Sequence, residues 1–295
     1  MRVLVTGASG YVGHAVVRAL HTTGHDVRAL PGDLLDGDAV GAAVSDVDGV
    51  IHLAARSNVR ESFERPDVYY RTNVTGTLTL LDRLAPGTRL VLASTASVYG
   101  APPTQPITES TALNPQNPYA ATKAAAEAAL GWYAPARRLA AATLRIFNVA
   151  GAVDGHGDPD GTRILPRAVS AAAGKLSHVD VYGDGSAVRD FVHVADVANA
   201  FTLALAAVQP GRHRAYNVGA IPATIADIIA TTERVTARPV PVVHHDRHPH
   251  EVPDLRADTT LIRRELGWGP THTTLDGLIA DQWRSELTSP RGLAQ

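Results

Sequence analysis

The opening stretch of this chain leaves few folds available to it. Arg2–Thr6 is a short, continuously apolar run, the pattern of a strand buried on both faces of a parallel sheet. It runs directly into Gly7-Ala8-Ser9-Gly10-Tyr11-Val12-Gly13, and a helical pattern follows through Ala15, Val16, Ala19 and Leu20. Strand, glycine turn and helix in that order make a cradle for a pyrophosphate. Glycines let the backbone approach the phosphates, and the new helix points its free N–H groups at them. A glycine turn without a ligand is the competing reading, and the place directly after the first strand weighs against it. The fold class expected is α/β, a doubly wound parallel sheet of the Rossmann type.

The bounds agree with a fold of this kind. At 295 residues the chain can bury a full core. A formal charge of −2 gives no basic field that would suggest nucleic acid or an anionic membrane as partner. The absence of cysteine excludes disulfides, thiolate zinc sites and cysteine nucleophiles. No apolar run approaches the ~18 residues of a membrane span. With the sequence opening directly on a strand, a cytoplasmic protein is expected.

Gly24-His25-Asp26 turns the chain into a second strand at Val27–Leu30. Dinucleotide folds usually close this strand with an acid about 20 residues past the glycines, for the adenosine ribose. Pro31 stands there instead, and Gly32-Asp33-Leu34 follows at once. A crossover helix and a third strand need at least about ten to twelve residues. One strand–helix unit is therefore expected to be missing, with Asp33 as the carboxylate placed to reach the ribose or the adenine edge. Asp33 reads equally as an N-cap-like residue before a helix at Asp36–Val44.

Further strands are expected at Gly49–Leu53, Arg89–Ser94 and Ala141–Arg145, with a long helix at Asp67–Leu84 that carries Asn73. Ala54 and Ala55 are small enough to let a cofactor lie close, and Ser57 and Asn58 in the loop that follows are placed to hydrogen-bond the cofactor or to cap the next turn. Ligands sit beyond the carboxyl ends of such strands, which places Ser94 and Thr95 at a site. Past Asn148 the texture changes to a Gly- and Asp-rich loop at Gly151–Gly161, then helices at Ile164–Gly174, Ala195–Ala207, Ile225–Val235, Thr259–Leu266 and Leu275–Leu287. Strands are expected at Val179–Tyr182, Arg189–His193 and Tyr216–Val218. His244, His245, His248 and His250 have the look of a metal cluster. Their spacing offers no helical i, i+4 pair facing one way, so a polar loop is favoured and no metal is expected.

The chemistry concentrates on Asn117-Pro118-Tyr119-Ala120-Ala121-Thr122-Lys123. Asn117 is a natural N-cap and Pro118 a natural first helical residue. Tyr119 and Lys123 are four apart on one helical face. A free phenol, with a pKa of about 10, is too weakly acidic to serve as a base near neutrality. An ammonium beside it favours the phenolate, which is what a Tyr/Lys hydride-transfer site needs.

TGASGYVG (6–13), HLAA (52–55), NVTGT (73–77), STASVYG (94–100), NPYAATK (117–123), LRIFN (144–148), GTRILPRA (161–168), GDGSAVRDFVHVADVA (183–198) and YNVGA (216–220) run nearly end to end. Through these stretches the chain resembles an extended short-chain dehydrogenase/reductase of the NAD-dependent epimerase/dehydratase type, and most of all the UDP-galactose (UDP-glucose) 4-epimerases. The resemblance implies NAD as cofactor, held by Gly7, Gly10, Tyr11, Val12, Gly13, Asp33, Leu34, Leu53, Ala54, Ala55, Ser57, Asn73, Ser94, Tyr119 and Lys123. It implies Thr95, Tyr119 and Lys123 as the catalytic set, with Tyr119 taking the proton of the sugar 4-hydroxyl. Val59, Thr95, Asn148, Arg163, Ile164, Tyr182, Arg189, Arg247 and His248 would hold a UDP-hexose. It also implies a homodimer and two domains, an NAD-binding one at 1–148 with 177–208 returning to it, and a nucleotide-sugar domain at 149–176 and 209–295.

The residues after Thr95 bear on the reaction. A 4,6-dehydratase of this superfamily carries Asp-Glu there, to remove water across C5 and C6. Ala96-Ser97 can move no such proton, which disfavours dehydration. Epimerisation needs one acid/base group only, serving in both directions. A nucleotide-sugar 4-ketoreductase and a non-catalytic dinucleotide sensor are the other readings, and an intact Thr95, Tyr119 and Lys123 argues against the sensor. Two departures from the family pattern stand out besides the missing acid. His248-Pro249-His250-Glu251 replaces an Arg-x-Gly-acid loop, and Leu255 falls near the position that gates the sugar pocket.

Overall fold

A computed structural model describes residues 1–246 and 252–288. Six parallel strands form the main sheet. In chain order the first five are β1 (Arg2–Thr6), β2 (Asp26–Ala29), β3 (Gly49–His52), β4 (Arg89–Thr95) and β5 (Ala140–Ile146), and the sixth is Arg212–Val218. Across the sheet the order runs Arg212–Val218, β5, β4, β3, β1, β2. The expected doubly wound sheet is therefore present, with β2 at the edge and no further strand beyond it. From Ala29 the chain passes through helix Gly37–Val44 and enters β3 on the far side of β1. The strand order reverses between β1 and β3, and a crevice opens there beyond the carboxyl ends of the strands.

The two faces of the sheet are separate apolar cores, and alternation along each strand assigns the residues to one or the other. Val3, Val5, Ile51, Val91, Ala142 and Leu144 pack with helix α1 (Tyr11–Thr22) and with helix Val194–Ala207. Leu4, Val50, Leu90, Leu92 and Ala141 face the other way, toward helices Gly37–Val44, Gly76–Arg83 and Pro118–Arg137. A third core joins helices Ile164–Ala172, Ile225–Thr236 and Leu275–Thr288 to small sheets. In these, Val188–His193 pairs with Ile221–Thr224, Asp254–Leu255 and Asn148–Ala150, and Val179–Tyr182 pairs with Val242–His245.

Several elements depart from the expected bounds. The last main-sheet strand starts four residues earlier than Tyr216, because Arg212–Ala215 pairs with Ala140–Thr143 at the sheet edge, where polar side chains are tolerated. The helix expected at Asp67–Leu84 runs as Pro66–Tyr69, a wider π-wound stretch at Tyr70–Thr75, and Gly76–Arg83. His244 and His245, expected in a loop, lie on a strand, where His245 Nε2 meets Asp180 Oδ1 at 2.8 Å. No helix among the described residues is long and apolar enough to cross a membrane.

Candidate active site

Above the β1/β3 switch lies a cleft of about 640 Å³. Its floor is the glycine turn. Gly7 has φ +73°, and a side chain there would place its Cβ 2.8 Å from the Ala54 amide nitrogen. A Cβ on Gly13 would stand 2.1 Å from the Gly7 carbonyl oxygen. Neither position tolerates another residue, and the turn stays flat enough for a ligand to rest on backbone. Gly10 caps α1 without any side-chain hydrogen bond, so the first-turn N–H groups of α1 have no intrahelical partners. These are the features a dinucleotide pyrophosphate requires, and the residues present fit NAD. The Tyr11 hydroxyl donates to the Gly151 carbonyl at 2.6 Å, which ties the ring to the start of the Gly151–Gly161 loop.

Gly7, Gly10, Tyr11, Val12, Gly13, Leu53, Ala55, Ser57, Val59, Ser94, Thr95, Tyr119, Lys123, Asn148 and Arg163 all line this one cleft. Residues over 150 positions apart in the chain converge there. Asn58 lines it too, and its Oδ1 accepts from the Glu61 N–H at 3.0 Å as the N-cap of Val59–Glu64. Arg60, Ser97, Asp158 and Thr162 line it as well, and the sequence reading gives none of them a part in binding. For Asp158 the acid-rich Gly151–Gly161 loop was the available signal.

Other expected residues sit elsewhere. Asp33 is exposed, and its Oδ1 accepts from the Leu35 N–H at 3.0 Å in a local turn. The N-cap of the next helix is Asp36, which accepts from the Asp38 and Ala39 N–H groups at 3.1 Å. Leu34 is buried in the core beneath Gly76. Asn73 lies in the π-wound stretch. Its amide accepts from Arg56 N (2.8 Å) and donates to Arg56 O (3.0 Å) and Thr122 Oγ1 (2.9 Å). It thus clamps the Leu53–Asn58 segment that forms a cleft wall. Ile164 packs into the third core. Tyr182 is 41% exposed and stacks on His245 with ring centroids 5.2 Å apart. Arg189 donates to the carbonyls of Val188 (2.9 Å) and Val252 (2.7 Å). Arg247 and His248 lie outside the described residues.

The Tyr119 helix forms for the reasons its sequence suggested. Asn117 Oδ1 accepts from the Ala120 N–H at 2.8 Å, and Pro118 fills the first helical position. Thr95 ends β4 and caps the tight turn Ala96–Tyr99 by accepting from the Ser97 N–H at 3.2 Å. Its side chain also acts on the Tyr119 phenol, in the direction of a lower pKa.

The electrostatics differ from the simple picture of an ammonium beneath a phenol. Burial raises the Tyr119 pKa above its ordinary value, and the opposing influences are the Thr95 side chain and the charge of Arg163. Burial also drives Lys123, 5% exposed, down to about 8, against an upward pull from Glu127. Desolvation thus dominates at both groups, and the influences that oppose it come from other residues. Arg163 is held by Asp158 at 2.9 Å and Asp160 at 3.2 Å, and Asp158 is itself fixed by Gln282 through backbone hydrogen bonds of 2.8 and 3.0 Å.

Residues 3–219 match the NAD dependent epimerase/dehydratase family. The chain is 38% identical to the UDP-glucose 4-epimerase of Corynebacterium glutamicum, over 96% of this chain and 95% of that protein. It is 36% identical to the UDP-glucose 4-epimerase of Azospirillum brasilense, over 100% and 93%. The crystal structure of the Stenotrophomonas maltophila UDP-glucose 4-epimerase with NAD and formylated UDP-arabinopyranose superposes with a TM-score of 0.91 at 30% identity, covering 97% of this chain and 98% of that one. The Bifidobacterium longum enzyme with NAD+ and UDP gives 0.90 at 27%, covering 99% and 100%. With the family model matching residues 3–219 and full-length relatives at 36–38% identity, the chain belongs to the NAD dependent epimerase/dehydratase family.

Proposed function

We propose that the protein is an NAD-dependent UDP-hexose 4-epimerase that interconverts UDP-glucose and UDP-galactose. The observation that carries this reading is the convergence of Thr95, Tyr119 and Lys123 on the same cleft wall as the glycine cradle. Gly7, Gly10 and Gly13 would hold NAD+, which would supply the hydride acceptor for C4 and the donor for its return. The chain's own part is to hold and move the proton. Tyr119 takes the proton of the sugar 4-hydroxyl and gives it back, so one group serves as base and then as acid. Thr95, whose side chain acts on the phenol in the direction of a lower pKa, orients it. Lys123 and Arg163 favour the phenolate as it forms, since an opposite charge nearby stabilises the charged form. Ala96 is 8% exposed and Ser97 has only a hydroxyl to offer, so the wall next to Thr95 carries no second acid and base for dehydration.

Inversion at C4 requires the 4-keto sugar to turn while the nucleotide stays anchored. Asn148 and Arg163 line the cleft on the side of the smaller lobe and serve as the near part of that grip. Tyr182 and Arg189, on the strands of that lobe, serve as the outer part toward the base and diphosphate.

Assembly as a homodimer belongs to the same proposal. Phe63, Tyr70 and Trp132 are 61%, 46% and 79% exposed on neighbouring helices that pack side by side. A second copy of this chain, laying the same helices against these, would cover them.

The test is incubation with UDP-glucose or UDP-galactose, without added reductant, followed by proton NMR of the anomeric region. The expected result is C4 inversion in both directions with no net NADH. Tyr119→Phe should lower turnover by roughly 10²–10⁴-fold with the fold retained. Net NADH formation, or near-normal turnover in that variant, overturns the reading.

A further inference from the structure

Behind the wall that carries Tyr119 and Lys123 lies a line of buried polar groups that the proton transfer does not itself call for. Glu127 stands one turn past Lys123 on the same helical face and is 4% exposed. Its Oε2 accepts from Arg145 Nε at 3.0 Å and Nη2 at 2.8 Å, a two-pronged pairing. Its Oε1 accepts from the hydroxyl of Ser94, a residue of the cleft wall. Arg145 is fixed in turn by the Tyr99 hydroxyl (2.9 Å) and the Glu109 carbonyl (3.1 Å), and Tyr99 donates to Asn217 Oδ1 at 2.7 Å. Burying an ion pair is a weak route to stability, because desolvation offsets the attraction. The carboxylate is nonetheless aimed at the site.

We propose that Glu127, locked by Arg145, is a positioning residue for this reaction: its Oε1 fixes the Ser94 hydroxyl in the cleft wall and its charge keeps Lys123 an ammonium. The inference rests on the epimerase reading for what the ammonium is needed to do. Burial pushes Lys123 down to about 8, close to working pH, and Glu127 is the group that pulls it upward. The other titratable groups around it supply no negative charge. His52, facing from β3, is held neutral at about 3 by burial and by the Lys123 charge. Tyr119 precedes Lys123 on the same helix, with cationic Arg163 beyond it. His213, facing Glu127 and Arg145 from the Arg212–Val218 strand, is lowered by burial. Glu109 stands on the far side of Arg145.

The sequence makes a direct test practical, because the chain has two lysines, Lys123 and Lys175. Lysine labelled with ¹³C at Cε gives one resonance for each, and Lys175→Arg assigns them. In the purified protein, with and without NAD, the Lys123 resonance should titrate near pH 8. Glu127→Gln should move that midpoint down by about one pH unit or more. The alkaline limb of kcat should move with it, with KM for UDP-glucose changing less than kcat. If Glu127→Gln does not fold, Glu127→Asp, which retracts the carboxylate by one methylene, should shift the midpoint in the same direction by less. An unmoved Lys123 midpoint in whichever variant is folded overturns the proposal. The titration needs no turnover, so a wild-type protein that failed to epimerise would overturn the functional reading and leave this measurement intact.

Discussion

Lys123 shows how a single residue can be set against the stability of the fold that carries it. An exposed lysine titrates at about 10.4, whereas Lys123 is held at about 8 by burial. The folded chain therefore binds this proton less tightly than the unfolded chain does. At pH 7 both states hold it, and keeping it as a buried ammonium costs about 3 kcal/mol for a gap of about 2.4 pH units. Stability recovers as pH rises from about 8 toward 10, where the folded state has already released the proton. Lys123→Met should accordingly be inactive yet more stable at pH 7, by about 2–3 kcal/mol after repacking. Urea unfolding at pH 7 and pH 10 checks this: the advantage should shrink strongly at pH 10. A variant less stable than wild type at pH 7 would show that the ammonium is compensated in place. The i, i+4 spacing of Tyr119 and Lys123 was legible in the sequence. The desolvation was not, since it depends on what the fold stacks above the helix.

At the scale of elements, the helix Pro118–Arg137 is the mounting of the site, and its first turn carries Tyr119. Asn117 closes that turn by accepting from the Ala120 N–H at 2.8 Å. Asn117→Ala should cost about 1 kcal/mol, the usual loss for an N-cap. Because Tyr119 lies two residues on, the variant should also lose kcat by about 5- to 20-fold with little change in NAD binding, whereas Asn117→Ser should restore both. Thermal melts and steady-state kinetics on the pair measure it. A variant that lost stability but kept its full kcat would detach the cap from catalysis. The same logic explains the π-wound stretch at Tyr70–Thr75. One wider turn in an otherwise regular helix brings Asn73 to both Arg56 and Thr122. Periodicity announces a helix there and says nothing about its local winding.

At the scale of the molecule, the helices that cover one face of the sheet leave Phe63, Tyr70 and Trp132 facing outward. A scattered apolar side chain is ordinary on a surface, whereas three on adjacent helices suit the proposed contact with a second copy. Light scattering coupled to size exclusion should give a dimer for the wild type. Trp132→Glu together with Phe63→Glu should give a monomer with an unchanged far-ultraviolet circular dichroism spectrum. A dimer that survives both charges would place the interface elsewhere. The cleft itself is assembled at this scale, from the glycine turn, the ends of the main-sheet strands and the segment around Asp158–Arg163, with Tyr11 tied across to Gly151.

By itself the sequence determined the class of fold, the position of the glycine cradle and the missing strand after β2. Each follows from local patterning: a run apolar throughout, glycines where no Cβ fits, and a connection too short for another crossover. It also named Thr95, Tyr119, Lys123, Asn148 and Arg163, which the fold brings to one cleft. Only the tertiary structure decided which acids stand where. Asp33 turns its carboxylate onto its own loop, Asp158 lies buried against Arg163, and Glu127 meets Arg145 and Ser94 behind the cleft wall. The reason is physical. A carboxylate's role depends on its desolvation and on donors that come from distant segments, and no local pattern in the chain records either.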